Sequence, residues 1–208
     1  MELDRAWQAI DAQRRAVTDL LSTLTVEEWT RPSLCTGWTV RDVAAHLTLQ
    51  QQGLRDVLGM LAHTPPSGMN RMIREAARRK ADVPTEQLVA EIAAMVGSRR
   101  HNLGVSHRET LIDILVHSQD IAVPLGRAFA LDPEAAAVAA SRVWSRGWPF
   151  YPRGRLRGIS LVATDIPWSQ GSGPEARGPI GAILLVLTGR AEAALPALTG
   201  EGRAVLQR

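Results

Sequence analysis

The chain of 208 residues is long enough to bury a hydrophobic core, and its apolar content of 45% and charged content of 22% are ordinary for a globular protein. A net charge of only +3, without a dense basic patch, does not indicate nucleic-acid binding. The single cysteine excludes an internal disulfide, and no signal peptide or apolar run of ~20 residues is present. We therefore expect a cytoplasmic protein without a membrane or nucleic-acid partner.

Apolar residues recur at helical spacing through most of the first 125 residues. We predict four long helices, which run from Leu3 to Leu24, from Val40 to Met60 or Leu61, from Asp82 to Val96, and from Arg108 to Val123 or Leu125. Thr39 and Asp42 form a variant of the capping box before the second helix. A break at 63–68 and a basic segment at 71–80 form a long connection with a weak helix. This pattern indicates a four-helix bundle.

The sequence changes character near residue 150, where glycine and proline become frequent. Before that point, Asp132 and Pro133 predict the start of a fifth helix over 135–144. After it, alternating residues at 159–164 predict a strand, and the apolar run at 180–187 favours a helix over a strand. We therefore predict a helical domain over residues 1–150 and a small α+β domain over residues 151–208.

Three residues of the predicted bundle have the spacing of metal ligands. Asp113 and His117 lie four residues apart in one helix, so both side chains project from one face. Asp113 is flanked by apolar residues, where a carboxylate requires a cation or another partner. His46 lies beside the apolar stripe of another helix, so the three could bind a metal and leave a fourth position open. They could equally be polar groups at the core edge, with Asp113 paired to an arginine.

Neighbouring residues leave further alternatives. Asp120 follows His117 by three positions and could orient its imidazole or pair with Arg127. Glu109 is a rival ligand, ranked lower because an acid near a helix start is already favoured by the helix dipole. Cys35 is interpreted as a small buried residue rather than a nucleophile, because nothing beside it in the sequence activates a thiol.

These residues resemble a known family. The string CTGWTVRDVAAHL at 35–47, followed by Asp113, His117 and Asp120, resembles the mycothiol-dependent maleylpyruvate isomerase family of the DinB-like superfamily. The segment after residue 178 is similar to the C-terminal domain of that family. The resemblance implies a mainly α fold, namely a DinB-like four-helix bundle with a small C-terminal α+β domain.

The resemblance also implies the chemistry of the site. It makes His46, Asp113 and His117 the catalytic residues and the ligands of a divalent metal, zinc foremost. Relatives have glutamate or histidine where this chain has Asp113, and a carboxylate one methylene shorter predicts weaker binding that glutamate would strengthen. The metal is implied to hold mycothiol or a similar thiol as a thiolate that attacks an electrophile. Arg190 is our candidate for binding an anionic group of the thiol cosubstrate or of the electrophile, and the alternative, which the sequence favours, is an exposed arginine at a helix end.

We therefore predict an enzyme that uses a metal and a low-molecular-weight thiol for S-transfer to a small electrophile or for its isomerisation. The alternative is a metal-binding or vestigial DinB-like bundle that acts as a stress-response or regulatory binding module, which would have the same fold. The expected partners are the small-molecule thiol and the electrophilic substrate, with the chain a monomer or a homodimer.

Overall fold

The computed structural model describes residues 1–53, 69–147 and 149–207. The chain forms two compact units, one over residues 3–129 and the other over residues 130–208 together with residues 1–2. Helices dominate the described ranges, which also contain a three-stranded sheet in the second unit. The predicted mainly α fold with a small C-terminal α+β part is confirmed.

The described part of the first unit consists of helices joined by loops and turns. They are α1 (Leu3–Ser22), α2 (Val26–Thr30), α3 (Val40–Thr48), α4 (Met69–Lys80), α5 (Thr85–Ala94) and α6 (His107–Ala122). Helices α1 and α3 each pack against both α5 and α6, which produces the expected four-helix bundle, and α4 packs against α3. The side chains buried between these helices include Ile10, Val17, Leu47, Ile92 and Ile114.

Capping boxes fix the starts of the two helices that contain the predicted ligands. At α3, the Asp42 amide donates to Thr39 Oγ1 at 3.2 Å, and the Thr39 amide donates to Asp42 Oδ2 at 2.8 Å. Ser106 and Glu109 form the same reciprocal arrangement at α6. Such caps contribute about 1 kcal/mol each and set the position of the first turn.

Helix α3 ends at Thr48, well before the predicted end at Met60 or Leu61. The following backbone bonds to the connection between α5 and α6 instead of continuing the helix. The Gln52 amide donates to Asn102 Oδ1 at 2.7 Å, and the Leu103 amide donates to the Gln52 carbonyl at 3.3 Å. The remainder of the predicted helix and the break at 63–68 lie outside the described residues.

Helix α5 likewise ends before the predicted Val96, at Ala94, and a side chain of α1 binds the carbonyls that follow it. The fully buried Arg14 donates through Nη1 to the carbonyls of Met95 at 2.7 Å and Ser98 at 3.2 Å. Unpaired carbonyls at a helix end require such partners, so this arginine joins α1 to the end of α5.

The second unit contains short helices and the sheet. Its elements are α7 (Pro133–Arg146), α8 (Pro152–Arg155), β1 (Ser160–Ala163), β2 (Ser169–Gly171), β3 (Glu175–Gly178), α9 (Ile180–Leu187), α10 (Ala191–Ala194), a 3₁₀ turn (Leu195–Ala197) and α11 (Glu201–Leu206). The strand order is β2-β1-β3, with β1 antiparallel to β2 and parallel to β3. Leu161 pairs with Gln170 on one side and Ala176 on the other. The strand expected at 159–164 and the helix favoured at 180–187 are both present.

Helix α7 packs against α9, so the structure groups it with the C-terminal segment rather than with the predicted 1–150 domain. The contact face of α7 consists of small residues that allow a close approach, namely Ala135, Ala136, Ala139, Ala140 and Val143. Helix α9 is almost entirely buried and apolar. Within the described ranges, no helix combines the length and apolar character that crossing a bilayer requires.

Candidate metal centre

The three predicted ligands lie together between α3 and α6. Asp113 Oδ1 lies 3.3 Å from His46 Nε2 and 3.4 Å from His117 Nε2. One ligand atom from each residue can be chosen so that all three atoms lie within 4.8 Å of one another. The structure therefore brings together, from two helices, the three residues that the sequence predicts.

Local packing orients the two imidazoles. His46 lies in the last turn of α3, and the ring of Trp38, in the loop before this helix, meets it edge-on with centroids 5.5 Å apart. The His46 and His117 rings also meet edge-on, with centroids 4.8 Å apart. Only 16% and 15% of the two histidine side chains is exposed, so this packing restricts the contact of both rings with water.

The charges of the three residues compensate one another. Burial alone would raise the pKa of Asp113, but the neighbouring His46 and His117 hold the pKa of this carboxyl well below its usual value. Burial likewise opposes protonation of His117, but the Asp113 carboxylate, with further hydrogen bonds, raises the pKa of this imidazole well above its usual value. Among the described residues, Asp113 thus pairs with two histidines, and not with an arginine, which was the alternative that the sequence allowed.

The arrangement fits a divalent ion. Two ligand atoms bound at ~2.0–2.1 Å to one tetrahedral ion lie roughly 3.3–3.4 Å apart. The separations of 3.3 and 3.4 Å between Asp113 Oδ1 and the two Nε2 atoms match this value. Imidazole nitrogen and carboxylate oxygen are ligands that zinc accepts, and a two-histidine, one-carboxylate set leaves room for a fourth ligand.

Asp120 orients His117 from the opposite side of the ring. Its buried Oδ2 lies 2.8 Å from His117 Nδ1, and an acceptor at this atom assigns the ring proton to Nδ1. Nε2 of the protonated ring faces Asp113, and a metal bound there would replace the Nε2 proton while the Nδ1 proton stays on the side of Asp120. The alternative partner, Arg127, donates to Glu28 instead, at 2.8 Å. Asp120 and His117 therefore form the carboxylate–histidine pair that commonly accompanies a metal in metalloproteins.

Cys35 has a role that its sequence neighbours did not indicate. Its Sγ donates to Asp120 Oδ2 at 3.0 Å and lies 3.6 Å from His117 Nδ1. The thiol therefore lies at the Nδ1 edge of the imidazole, whereas the candidate ligand atom is Nε2. The only signal in the sequence was the position of Cys35 at the start of the 35–47 string.

Gln50 is a second contact that sequence reasoning missed. Its Nε2 donates to Asp113 Oδ2 at 2.7 Å, and the side chain is buried. Its position four residues after His46, on the same side of the chain as that ligand, was the available signal.

A cavity of about 190 Å³ borders the site. Its lining is part apolar and part polar, and includes His46, Asp113, Leu49, Gln50, Ile73, Ala76, Asn102, Val105 and Thr110. Glu109 also lines the cavity, but its carboxylate accepts hydrogen bonds from the amide and hydroxyl of Ser106. This capping role explains the glutamate that the sequence left as a rival ligand.

Residues 10–112 match the family model described as the mycothiol maleylpyruvate isomerase N-terminal domain. This segment of the chain belongs to that family. It includes His46 and most of the bundle, and Asp113 and His117 follow directly after it. The family resemblance expected from the 35–47 string is therefore confirmed.

Two solved structures have a similar fold over nearly the whole chain. They are a crystal structure of the mycothiol-dependent maleylpyruvate isomerase, with a TM-score of 0.62, and one of its histidine-to-alanine mutant, with a TM-score of 0.63. Each is 11% identical to this chain, and each match covers 97% of this chain and 93% of the other. Identity this low supports a shared fold alone. No curated protein sequence matches the chain.

The anion-binding residue expected by analogy with this isomerase family lies in the second unit. Arg190 precedes α10, and its Nη1 donates to the Thr188 carbonyl at 2.6 Å. The three candidate ligands all belong to the first unit. The function of Arg190 toward an anionic ligand stays a prediction.

The geometry revises our expectation for the aspartate that departs from the isomerase pattern. Asp113 already reaches both histidines, so a glutamate would extend one methylene into a filled site. We expect Asp113→Glu to weaken zinc affinity roughly tenfold, the opposite of the strengthening expected from the sequence. Competition with a chromophoric chelator measures this change, with Glu109→Asp as a carboxylate control on the same helix. Tighter zinc binding by Asp113→Glu would contradict the prediction.

Proposed function

We propose that this protein is an enzyme that uses a divalent metal to activate mycothiol or a similar low-molecular-weight thiol, for S-transfer to a small electrophile or for its isomerisation. The observation that supports it most is the convergence of His46, Asp113 and His117 within 4.8 Å beside a cavity. Membership of residues 10–112 in a mycothiol isomerase domain family favours a thiol as the cosubstrate.

In this proposal, His46, Asp113 and His117 hold the metal, zinc foremost. A divalent ion bound there supplies the positive charge that keeps a thiol sulfur deprotonated at neutral pH. Asp120 keeps the His117 proton on Nδ1, so that Nε2 is available as a ligand. Asp113 remains ionised, because its histidine neighbours lower the pKa of this carboxyl.

The cavity beside His46 and Asp113 is the proposed entry for the reacting molecules. Its apolar walls, including Leu49, Ile73 and Val105, exclude water from one side of the site. A volume of about 190 Å³ accommodates a small electrophile or part of the thiol, rather than a macromolecule. The proposal therefore retains small-molecule partners, and it retains the cytoplasm as location because a single cysteine forms no disulfide within the chain.

A turnover assay tests the proposal directly. Mycothiol is supplied with maleylpyruvate to detect isomerisation, and with a fluorogenic bimane electrophile to detect S-transfer. We expect turnover in at least one reaction that requires thiol, is lost after chelation, and returns with zinc. The requirement for both thiol and metal is the discriminating result, because the rate of uncatalysed thiol addition does not change when a chelator is added. Equal rates in chelated and zinc-loaded protein would contradict the proposal.

Arg190 is proposed to bind an anionic group of the thiol cosubstrate or of the electrophile. Losing a charge-assisted hydrogen bond costs ~1.5–3 kcal/mol, so Arg190→Ala should lower kcat/KM for an anionic substrate more than tenfold. Steady-state kinetics measure the effect, and Arg177→Ala provides a matched control because that arginine forms an exposed pair with Glu175. Wild-type kcat/KM in Arg190→Ala would remove this residue from the proposal.

The second candidate is a regulatory or vestigial metal-binding module, monomeric or dimeric like the first. The mutual charge compensation of Asp113 and His117 favours it, because the cluster can persist without a metal. Stoichiometric metal binding without thiol-dependent turnover would distinguish this module from the enzyme.

A further inference from the structure

The two oxygens of Asp113 have different partners. Oδ1 faces the Nε2 atoms of both histidines at 3.3 and 3.4 Å. Oδ2 accepts a hydrogen bond of 2.7 Å from Nε2 of Gln50, just beyond the end of α3. The helix that supplies His46 is thus followed at once by a residue that binds the remaining oxygen of the aspartate.

Gln50 is oriented by this contact. The side chain is only 3% exposed, and its Oε1 is buried without a hydrogen-bond partner within the described residues. A reversed amide would place two acceptors 2.7 Å apart, so the carboxylate requires the NH₂ end to face it. Leaving a buried carbonyl unsatisfied reduces stability. The burial of the Gln50 amide is therefore better explained by its hydrogen bond to Asp113 than by a gain in stability of its own.

We propose that Gln50 is a positioning residue that restricts Asp113 to a single metal-binding oxygen. The inference rests on the proposed metal site. With Oδ2 bound to the amide, only Oδ1 remains for the metal, so three protein atoms are ligands and the fourth position stays open for the thiol. Without the amide, Oδ2 is free to become an additional ligand. Gln50 thereby determines the coordination number of the site.

Cobalt(II) provides a spectroscopic test that does not depend on turnover. Cobalt replaces zinc in such sites, and its visible absorption is more intense in four-coordinate than in five-coordinate geometry. Gln50→Met keeps the length of the side chain and removes the donor, and Gln50→Leu is a second apolar variant. We expect both to lose visible absorption intensity, because the second carboxylate oxygen is then available to raise the coordination number.

Gln51→Met is the matched control. It removes the next amide along the chain, whose Oε1 accepts from Ser98 Oγ at 3.2 Å. Its cobalt spectrum should match that of the wild type. Wild-type spectra in both Gln50 variants would overturn the inference while leaving the proposed function intact. A wild-type protein that binds no cobalt would overturn both.

Discussion

Replacing His117 with alanine is expected to abolish stoichiometric metal binding. The change removes one of three ligands and leaves only His46 and Asp113, which is one fewer protein ligand than a catalytic zinc site has. It also removes the imidazole that bonds to the fully buried Asp120. Elemental analysis of purified protein, after dialysis against a trace of free zinc, measures the metal content per chain.

His101→Ala is the matched control for this substitution. His101 is exposed in the same unit, its Nδ1 bonds to the carbonyl of the neighbouring Asn102, and its ring stacks on Trp7 away from the cluster of His46, Asp113 and His117. We expect this variant to retain one metal ion per chain. A His117→Ala protein with unchanged metal content would show that the cluster of His46, Asp113 and His117 is a buried polar network rather than a metal site.

The clustering of the three candidate ligands was predictable because local geometry determines most of it. The spacing of Asp113 and His117 places both on one face of a helix whatever the surrounding fold. The position of His46 beside an apolar stripe placed it toward the bundle interior. Once α3 and α6 pack against each other, three side chains at these positions converge.

The partners of the ligands could not be predicted in the same way. Gln50 and Asp113 are 63 residues apart, and Cys35 and Asp120 are 85 apart, so their contacts depend on tertiary packing. The end of α3 at Thr48 was missed as well, because the apolar periodicity continues beyond it, and the contact that the later backbone makes, from Gln52 to Asn102, is not local. Sequence patterns thus pointed to the residues that cluster, whereas the side chains that orient them required the structure.

Asp120→Asn is expected to lower zinc affinity roughly 10- to 100-fold, as is typical when the partner of a metal-binding histidine is changed. Asparagine has nearly the same shape, so the change removes the negative charge with little alteration of packing. Without that charge, the imidazole of His117 is less basic, so its Nε2 is a weaker metal ligand. The asparagine amide can also rotate its NH₂ toward Nδ1, which favours the tautomer with the proton on Nε2. Competition with a chromophoric chelator at constant pH measures the change.

Cys35→Ala tests whether the hydrogen bond from Cys35 to Asp120 contributes to metal binding, since it keeps the charge of Asp120. Sγ and His117 Nδ1 both contact Asp120 Oδ2, at 3.0 and 2.8 Å, so the alanine variant removes one neighbour and leaves the carboxylate–imidazole bond in place. We expect its zinc affinity to stay within a few-fold of the wild type, because a thiol is a weak donor. If Cys35→Ala instead weakens binding as much as Asp120→Asn, the thiol itself contributes to the metal site, and the assignment of Asp120 as the residue that orients His117 is wrong.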